Sequence, residues 1–171
     1  FVGSHLVDAL LAAGRSVHVL DDLSSGALAN LAQWEGHPRL RLSIGSAEDE
    51  GLVATACRAS AAVFHLAGAV GVQRLAADPL LVMRRNLRCT EVVLAAAAEA
   101  RVPVLITSSS EVYGQGPVPF RETDPVRPGV PDGLRGGYAC AKAMGEWLAL
   151  GYAQKQGLRS EEHTSELQSP Y

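Results

Sequence analysis

Val104-Leu105-Ile106-Thr107-Ser108-Ser109-Ser110-Glu111-Val112-Tyr113-Gly114 is the stretch on which the reading of this chain turns. Its first half is a short apolar run of the kind that forms a buried strand, and it passes directly into a cluster of hydroxyls. Buried strands of this type belong to parallel sheets covered by helices. Open sheets of that class bind ligands in the crevice beyond the carboxyl ends of their strands. A strand ending in three serines and a glutamate therefore puts reactive groups where such a sheet carries its chemistry.

The sequence on either side fits that sheet. Upstream, Leu6, Val7, Leu10 and Leu11 give the segment Ser4 to Ala13 one buried helical face, and Gly14 follows where a helix end favours a left-handed residue. Val17 to Leu20 reads as a strand running into Asp21-Asp22, and Leu40, Leu42 and Ile44 alternate as a second. A helix is expected from about Asp49, a strand over Ala62 to Leu66 bounded by Gly68, and a long helix from Pro79 to about Glu99. Residues 114 to 137 hold five of the nine prolines and read as a loop, with a last helix from Tyr138 to about Lys155. Strands alternating with helices of this length indicate an α/β fold, a doubly wound parallel sheet in one domain over residues 1–158. A helix with no strand before it opens the chain, so this sheet is expected to lack its first strand.

Composition narrows the function. With 171 residues, 47% apolar, and a net charge of −3, the chain can bury a core and offers no basic footprint for nucleic acid or a membrane surface. No apolar run approaches the roughly 20 residues that span a bilayer. Cys57, Cys89 and Cys140, like His5, His18, His37, His65 and His163, show no disulfide or metal-ligand spacing. Free thiols fit a reducing, cytoplasmic setting, and no metal site is expected. The polar tail at 159–171 resembles a translated sequencing-library adapter, so native sequence is expected to end near Leu158.

Two regions carry candidate chemistry. Phe1-Val2-Gly3-Ser4-His5-Leu6 resembles the last third of the glycine-rich dinucleotide fingerprint, in which the final glycine lets a helix pack closely on a strand. Asp21, 18 residues after Gly3, falls where that fingerprint places an acid. A carboxylate there can accept from both ribose hydroxyls and would repel a 2′-phosphate, although an acid at a strand end can equally cap a turn. Asp22, Ser25 and Gly26 would shape the same pocket. At the other end, Tyr138-Ala139-Cys140-Ala141-Lys142 sets a phenol and an ammonium four residues apart on one helix face. An ammonium beside a phenol favours phenolate, which would let the tyrosine act as a general base nearer neutral pH.

Taken together, Val2 to Leu6, Val19 to Gly26, Val63 to Gly68, Asn86, Thr107 to Gly114 and Tyr138 to Lys142 resemble the NAD-dependent epimerase/dehydratase family of extended short-chain dehydrogenases/reductases. The resemblance implies a Rossmann-like domain, NAD as cofactor and a nucleotide sugar as substrate. Gly3, Asp21, Asp22, Ser25, Gly26, Leu66, Ala67, Gly68, Asn86 and Ser108 would line the cofactor, joined by Tyr138 and Lys142. Asn86 would support the active-site backbone, and His65 reads as a structural histidine. Ser109 would hydrogen-bond the reacting sugar oxygen and Tyr138 would move its proton as a keto-sugar forms and is then epimerised or decarboxylated. Ser110 stands where resembling 4,6-dehydratases carry an aspartate, which argues against water elimination. Glu111, as the candidate catalytic carboxylate, looks more like UDP-glucuronate decarboxylases, but some epimerase-like members also carry it, so the two subclasses stay open.

The resemblance also implies a homodimer through the helices 79–99 and 138–155, whose alanines (Ala95 to Ala98, Ala139, Ala141, Ala143) permit close approach either there or against the sheet. It implies as well a sugar-binding portion beyond Leu158, so the 171 residues alone are expected to be inactive. A non-catalytic NAD-binding regulatory module is the alternative of another class. Against it stands the set Ser109, Tyr138 and Lys142, because a sensor needs no proton relay.

Overall fold

In the computed structural model, residues 1–127, 129 and 134–158 are described; the tail expected to be non-native, 159–171, lies outside them. The described residues form five α-helices and four short strands: α1 (Val2–Ala12), β1 (Val17–Asp21), β2 (Leu40–Ile44), α2 (Glu50–Arg58), β3 (Val63–His65), α3 (Val72–Ala77), α4 (Pro79–Ala100), β4 (Val104–Ile106) and α5 (Leu134–Gln156). Two 3-10 helices, Leu28–Trp34 and Ser110–Tyr113, interrupt the loops.

Local chemistry accounts for most of these boundaries. Asp49 caps α2 by accepting from the Leu52 N–H at 3.0 Å, and Asp78 caps α4 by accepting from Leu81 at 2.9 Å, with Pro79 in the first turn. Gly14 follows α1 at φ +79°, and the Gly14 and Arg15 N–H groups close on the carbonyls of Leu11 and Leu10. Helix α5 begins at Leu134 rather than at Tyr138, so Gly136 and Gly137 are helical and not part of the loop. The reason is packing. A Cβ on Gly137 would lie 2.4 Å from Met83 Sδ, so the glycine is what lets α5 close on α4. Two turns further on, a Cβ on Gly145 would meet the Thr90 methyl at 3.4 Å.

Among the described residues all strand pairing is parallel. β1 pairs with β2 in the register Val17 to Leu40 through Asp21 to Ile44, and β3 pairs with β4 from Val63 to Val104 through His65 to Ile106. Among the described residues no ladder joins the two pairs. They share a core all the same. Leu20 of β1 and Val63 of β3 pack against one buried cluster that includes Val53 and Cys57 of α2, Val93, Leu94 and Ala97 of α4, Ile106 of β4 and Ala149 of α5. Leu94, Ala97 and Ala149 are fully buried there, and the small side chains let α4 approach its neighbours closely. Sequence periodicity thus locates the long helices and the strands, while the two 3-10 helices and the six-residue α3 carry too little pattern to be seen.

The segment after β4 folds back on itself. Gly114, at φ 56° and ψ −128°, sits where a Cβ would come within 2.0 Å of the Arg127 carbonyl oxygen, and the Arg127 N–H donates to Val112 O at 2.7 Å. Only glycine fits that turn. The closed loop is tied to the 3-10 helix that carries Glu111, directly beside the end of β4.

Candidate active site

Three consecutive residues at the end of β4 meet three residues on one face of α5. Thr107 accepts, through its main-chain oxygen, a 2.9 Å hydrogen bond from Lys142 Nζ. The Ser108 hydroxyl donates to the Glu146 carboxylate. The Ser109 hydroxyl stands beside the Tyr138 phenol, close enough to favour its ionised form. Residues 138, 142 and 146 are successive i, i+4 positions, so they form one stripe along the helix. Ser109 itself is extended, at φ −150° and ψ 144°, and its Oγ also accepts from the Glu111 N–H at 3.3 Å, fixing the hydroxyl at the start of the 3-10 helix. Sequence reasoning names Ser109, Tyr138 and Lys142, and the structure brings them together. It misses Glu146, because a lone glutamate on a helix carries no signal until its partner 38 residues away is known.

The electrostatics differ from the expectation that Lys142 lowers the Tyr138 pKa. The Tyr138 phenol is raised above its ordinary value, first by burial, with the Glu111 carboxylate adding to the rise and the Ser109 hydroxyl opposing it. The Lys142 ammonium is directed at the Thr107 carbonyl, and burial and the Glu111 carboxylate, not the lysine, set the direction of the shift. Burial in turn pushes the Lys142 pKa down. Glu111 is therefore more than a surface acid beside Tyr113: its charge is felt at the phenol.

Beneath this face lies a buried polar chain. Asn86, 2% exposed, donates from Nδ2 to the main-chain oxygens of Ala69 and Val82, each at 2.8 Å. It is a support for the backbone after β3 and not a surface amide. Its Oδ1 has no hydrogen-bond partner among the described residues and crowds Gly68, where a Cβ would come within 2.6 Å of it. The next link is Thr90, which donates to Asn86 O at 2.8 Å while its Oγ1 lies 3.1 Å from His65 Nε2. His65 is thus the satisfied structural histidine that the sequence suggests. Leu66 is half-buried and Ala67 exposed between it and Gly68.

At the other strand pair, Asp21 closes β1 and accepts the Leu23 N–H on Oδ1 at 2.8 Å. Gly26 packs on this carboxylate so tightly that a Cβ would stand 3.0 Å from Oδ2. The turn reading and the ligand reading are compatible, since one oxygen takes the turn N–H and the carboxylate has further acceptor capacity. Asp22 is engaged elsewhere. It accepts from Ser24 and pairs with Arg85 of α4 at 3.4 Å, and these contacts, Ser24 first, hold its carboxyl below the usual range. Arg74 of α3 donates to Ser24 O, so two arginines from outside the sequence motif clasp this loop. Ser25 is exposed on it. Gly3 departs from expectation in two ways. It lies inside α1 rather than before it, and a Cβ there would make only ordinary contact, 3.8 Å, with Leu66. Close packing does not require a glycine at that point. Among the described residues no group of His, Cys, Asp and Glu could hold a metal, and no helix is long and apolar enough to cross a membrane.

His65 gives the site a measurable acid sensitivity. Burial, with Lys142 adding to it, pushes the His65 pKa down to about 4 from 6.5. The native state therefore favours the neutral ring. Its stabilising effect is fully present above pH 6.5 and is lost as pH falls toward about 4, a loss of roughly 3 kcal/mol for a shift of this size. Urea midpoints at about pH 7 and about pH 4.5 should differ more for the wild-type chain than for His65→Gln. Equal differences in the two chains would show that His65 does not carry this acid sensitivity.

Comparison with known proteins agrees with this arrangement. Residues 1–160 match the model of the NAD dependent epimerase/dehydratase family. The chain is 33% identical over 159 residues to a UDP-N-acetyl-alpha-D-glucosaminuronate decarboxylase of Bacillus cytotoxicus, covering 92% of this chain and 48% of that protein. It is 38% identical over 152 residues to a UDP-glucose 4-epimerase of Mycolicibacterium smegmatis, covering 85% and 46%. Among solved structures, a dTDP-glucose 4,6-dehydratase from Streptomyces venezuelae with NAD bound superposes with a TM-score of 0.83 at 34% identity, over 94% of this chain and 51% of that one. The chain spans about half the length of the relatives it matches. With its parallel α/β architecture of Rossmann type, the chain belongs to the NAD dependent epimerase/dehydratase family.

Proposed function

We propose that this chain is the cofactor-binding part of a cytoplasmic enzyme that oxidises a carbon of a nucleotide sugar to a keto intermediate and then epimerises or decarboxylates it. The observation that carries the reading is the α5 stripe of Tyr138, Lys142 and Glu146 laid along the carboxyl end of β4, with Lys142 fixed on the Thr107 carbonyl, Glu146 on the Ser108 hydroxyl, and the Tyr138 phenol beside Ser109. The residues suit NAD. Asp21 ends β1 with acceptor capacity for a ribose diol, and the buried Asn86 fixes the backbone after β3 by donating to Ala69 O, its Oδ1 leaving no room for a side chain at Gly68. When bound, NAD supplies a hydride acceptor and a positive charge that favours the phenolate.

Each residue then has a task. Ser109 hydrogen-bonds the reacting sugar oxygen, and Tyr138 takes and later returns its proton. A phenol held above its ordinary pKa is protonated at neutral pH, so Tyr138 waits in the acid form and becomes a base only when positive charge arrives. Glu111, whose charge reaches Tyr138, supplies a carboxylate for the step after oxidation. Ser110, exposed beside it, offers no second carboxylate, which favours epimerisation or decarboxylation over 4,6-dehydration.

In a form extended to the length of its relatives, the protein should turn over UDP-glucose or UDP-glucuronate in the presence of NAD. Tyr138→Phe should lower that turnover by about 10²–10⁴-fold. Unchanged turnover in the variant would remove Tyr138 from the mechanism. Binding of NAD with turnover of neither sugar nucleotide would instead favour a regulatory module. The 171-residue chain alone should form no product.

The parent is proposed to be a homodimer through α4 and α5, on faces other than the alanine-rich ones. Ala96 to Ala98, Ala139 and Ala143 are buried within the chain, whereas Leu80, Leu87, Met144 and Trp147 are exposed on the outside, Trp147 at 64%. Positions 140, 144, 147 and 151 form one helical stripe. Paired Met144→Glu and Trp147→Arg substitutions should lower the sedimenting mass to that of one chain. A dimer that survives both would place the interface elsewhere.

A further inference from the structure

We propose that Glu146 is a positioning residue, which grips the Ser108 hydroxyl and thereby holds the end of β4 so that the Ser109 hydroxyl faces the Tyr138 phenol. The proposal rests on the proposed catalytic role of Ser109 and Tyr138, and it adds a residue that never touches the substrate.

Geometry is the argument. β4 ends at Ile106, and the next three residues leave the sheet with no ladder to hold them. What holds them is α5. Thr107 is tethered by Lys142 through its carbonyl and reaches with its own hydroxyl toward His65 O at 3.4 Å, so its position is set from both sides. Ser109 is tied to the 3-10 helix by the Glu111 N–H and faces Tyr138. Ser108 lies between these two, and its hydroxyl is held by Glu146. Rotation at Ser108 would swing Ser109 away from the phenol while leaving the Thr107 tether intact. Glu146 removes that freedom, and because it is two turns from Tyr138 on the same helix, it fixes serine and phenol in one frame. A charged acceptor suits the task, since a hydroxyl donating to a carboxylate makes a stronger bond than one donating to a neutral group.

The charged and titratable groups around this stripe come from several elements. Glu111 faces Tyr138, Cys89 and His65 face Lys142, and Tyr113 faces Glu146. Glu146 holds Ser108 and lies two turns from Tyr138, so on this proposal its removal acts on the phenol through position, and loss of its charge alone would act in the opposite direction.

Tyr138 ionisation gives the test, read as the difference in tyrosinate absorbance between each chain and its Tyr138→Phe counterpart, which removes the signal of the other three of four tyrosines. Glu146→Ala should move the Ser109 hydroxyl off the phenol and shift Tyr138 ionisation to higher pH. Glu146→Gln, whose amide oxygen still accepts from Ser108, should titrate like the wild type. Ser108→Ala, which removes the donor, should shift it upward as Glu146→Ala does, and the double variant should add nothing further. An unchanged titration in folded Glu146→Ala would overturn the proposal, and so would a downward shift in both Glu146 variants, the mark of simple charge removal. Should Glu146→Ala fail to fold by circular dichroism, Ser108→Ala decides alone: an upward shift supports the proposal and no shift overturns it. Because the readout is ionisation and not turnover, failure here leaves the catalytic reading to the Tyr138→Phe assay.

Discussion

The contact of α5 with the end of β4 is the constraint from which the rest of the site follows. A strand that stops hydrogen bonding at Ile106 would normally release its continuation into solvent. Here Lys142 binds the Thr107 carbonyl and Glu146 the Ser108 hydroxyl, while Tyr138 of the same stripe stands beside Ser109. The helix packs on α4 as it reaches them, with Gly137 leaving room for the Met83 side chain and Gly145 set against the Thr90 methyl. Small residues in the helix contact thus help to set the geometry of the hydroxyl and the phenol.

The two ends of the site differ in how they are held. The end beside Tyr138 is built on buried structure: His65, Thr90 and Asn86 form a polar chain under Gly68, and their burial makes it rigid. The end beside Asp21 is a loop clasped from outside by Arg74 and Arg85. A half-exposed ion pair such as Arg85–Asp22 is weak, so the loop around Asp21 should be the more adaptable half.

Sequence and structure agree where chemistry repeats at a fixed spacing. The buried face of α4, the helix starts at Asp49 and Pro79, and the Tyr138–Lys142 spacing all rest on relations within a few residues, and all are legible. What cannot be read depends on distant partners. Glu146 needs Ser108, Arg85 needs Asp22, and the start of α5 at Leu134 is hidden because two glycines in a row suggest a loop until Met83 is seen pressing on one of them. The direction of the Tyr138 shift escapes the sequence for the same reason: spacing along the helix puts Lys142 near the phenol, but the Thr107 carbonyl takes its ammonium.

The Tyr138 phenol, raised first by burial, is tuned by two neighbours acting in opposite senses, a serine hydroxyl that stabilises the phenolate and a carboxylate that opposes it. Titration of that single phenol in Ser109→Ala and in Glu111→Gln tests this most directly. Ionisation should move to higher pH in the first and to lower pH in the second. A phenol that titrates at the same pH in both variants as in the wild type would contradict the arrangement on which the proposed chemistry stands.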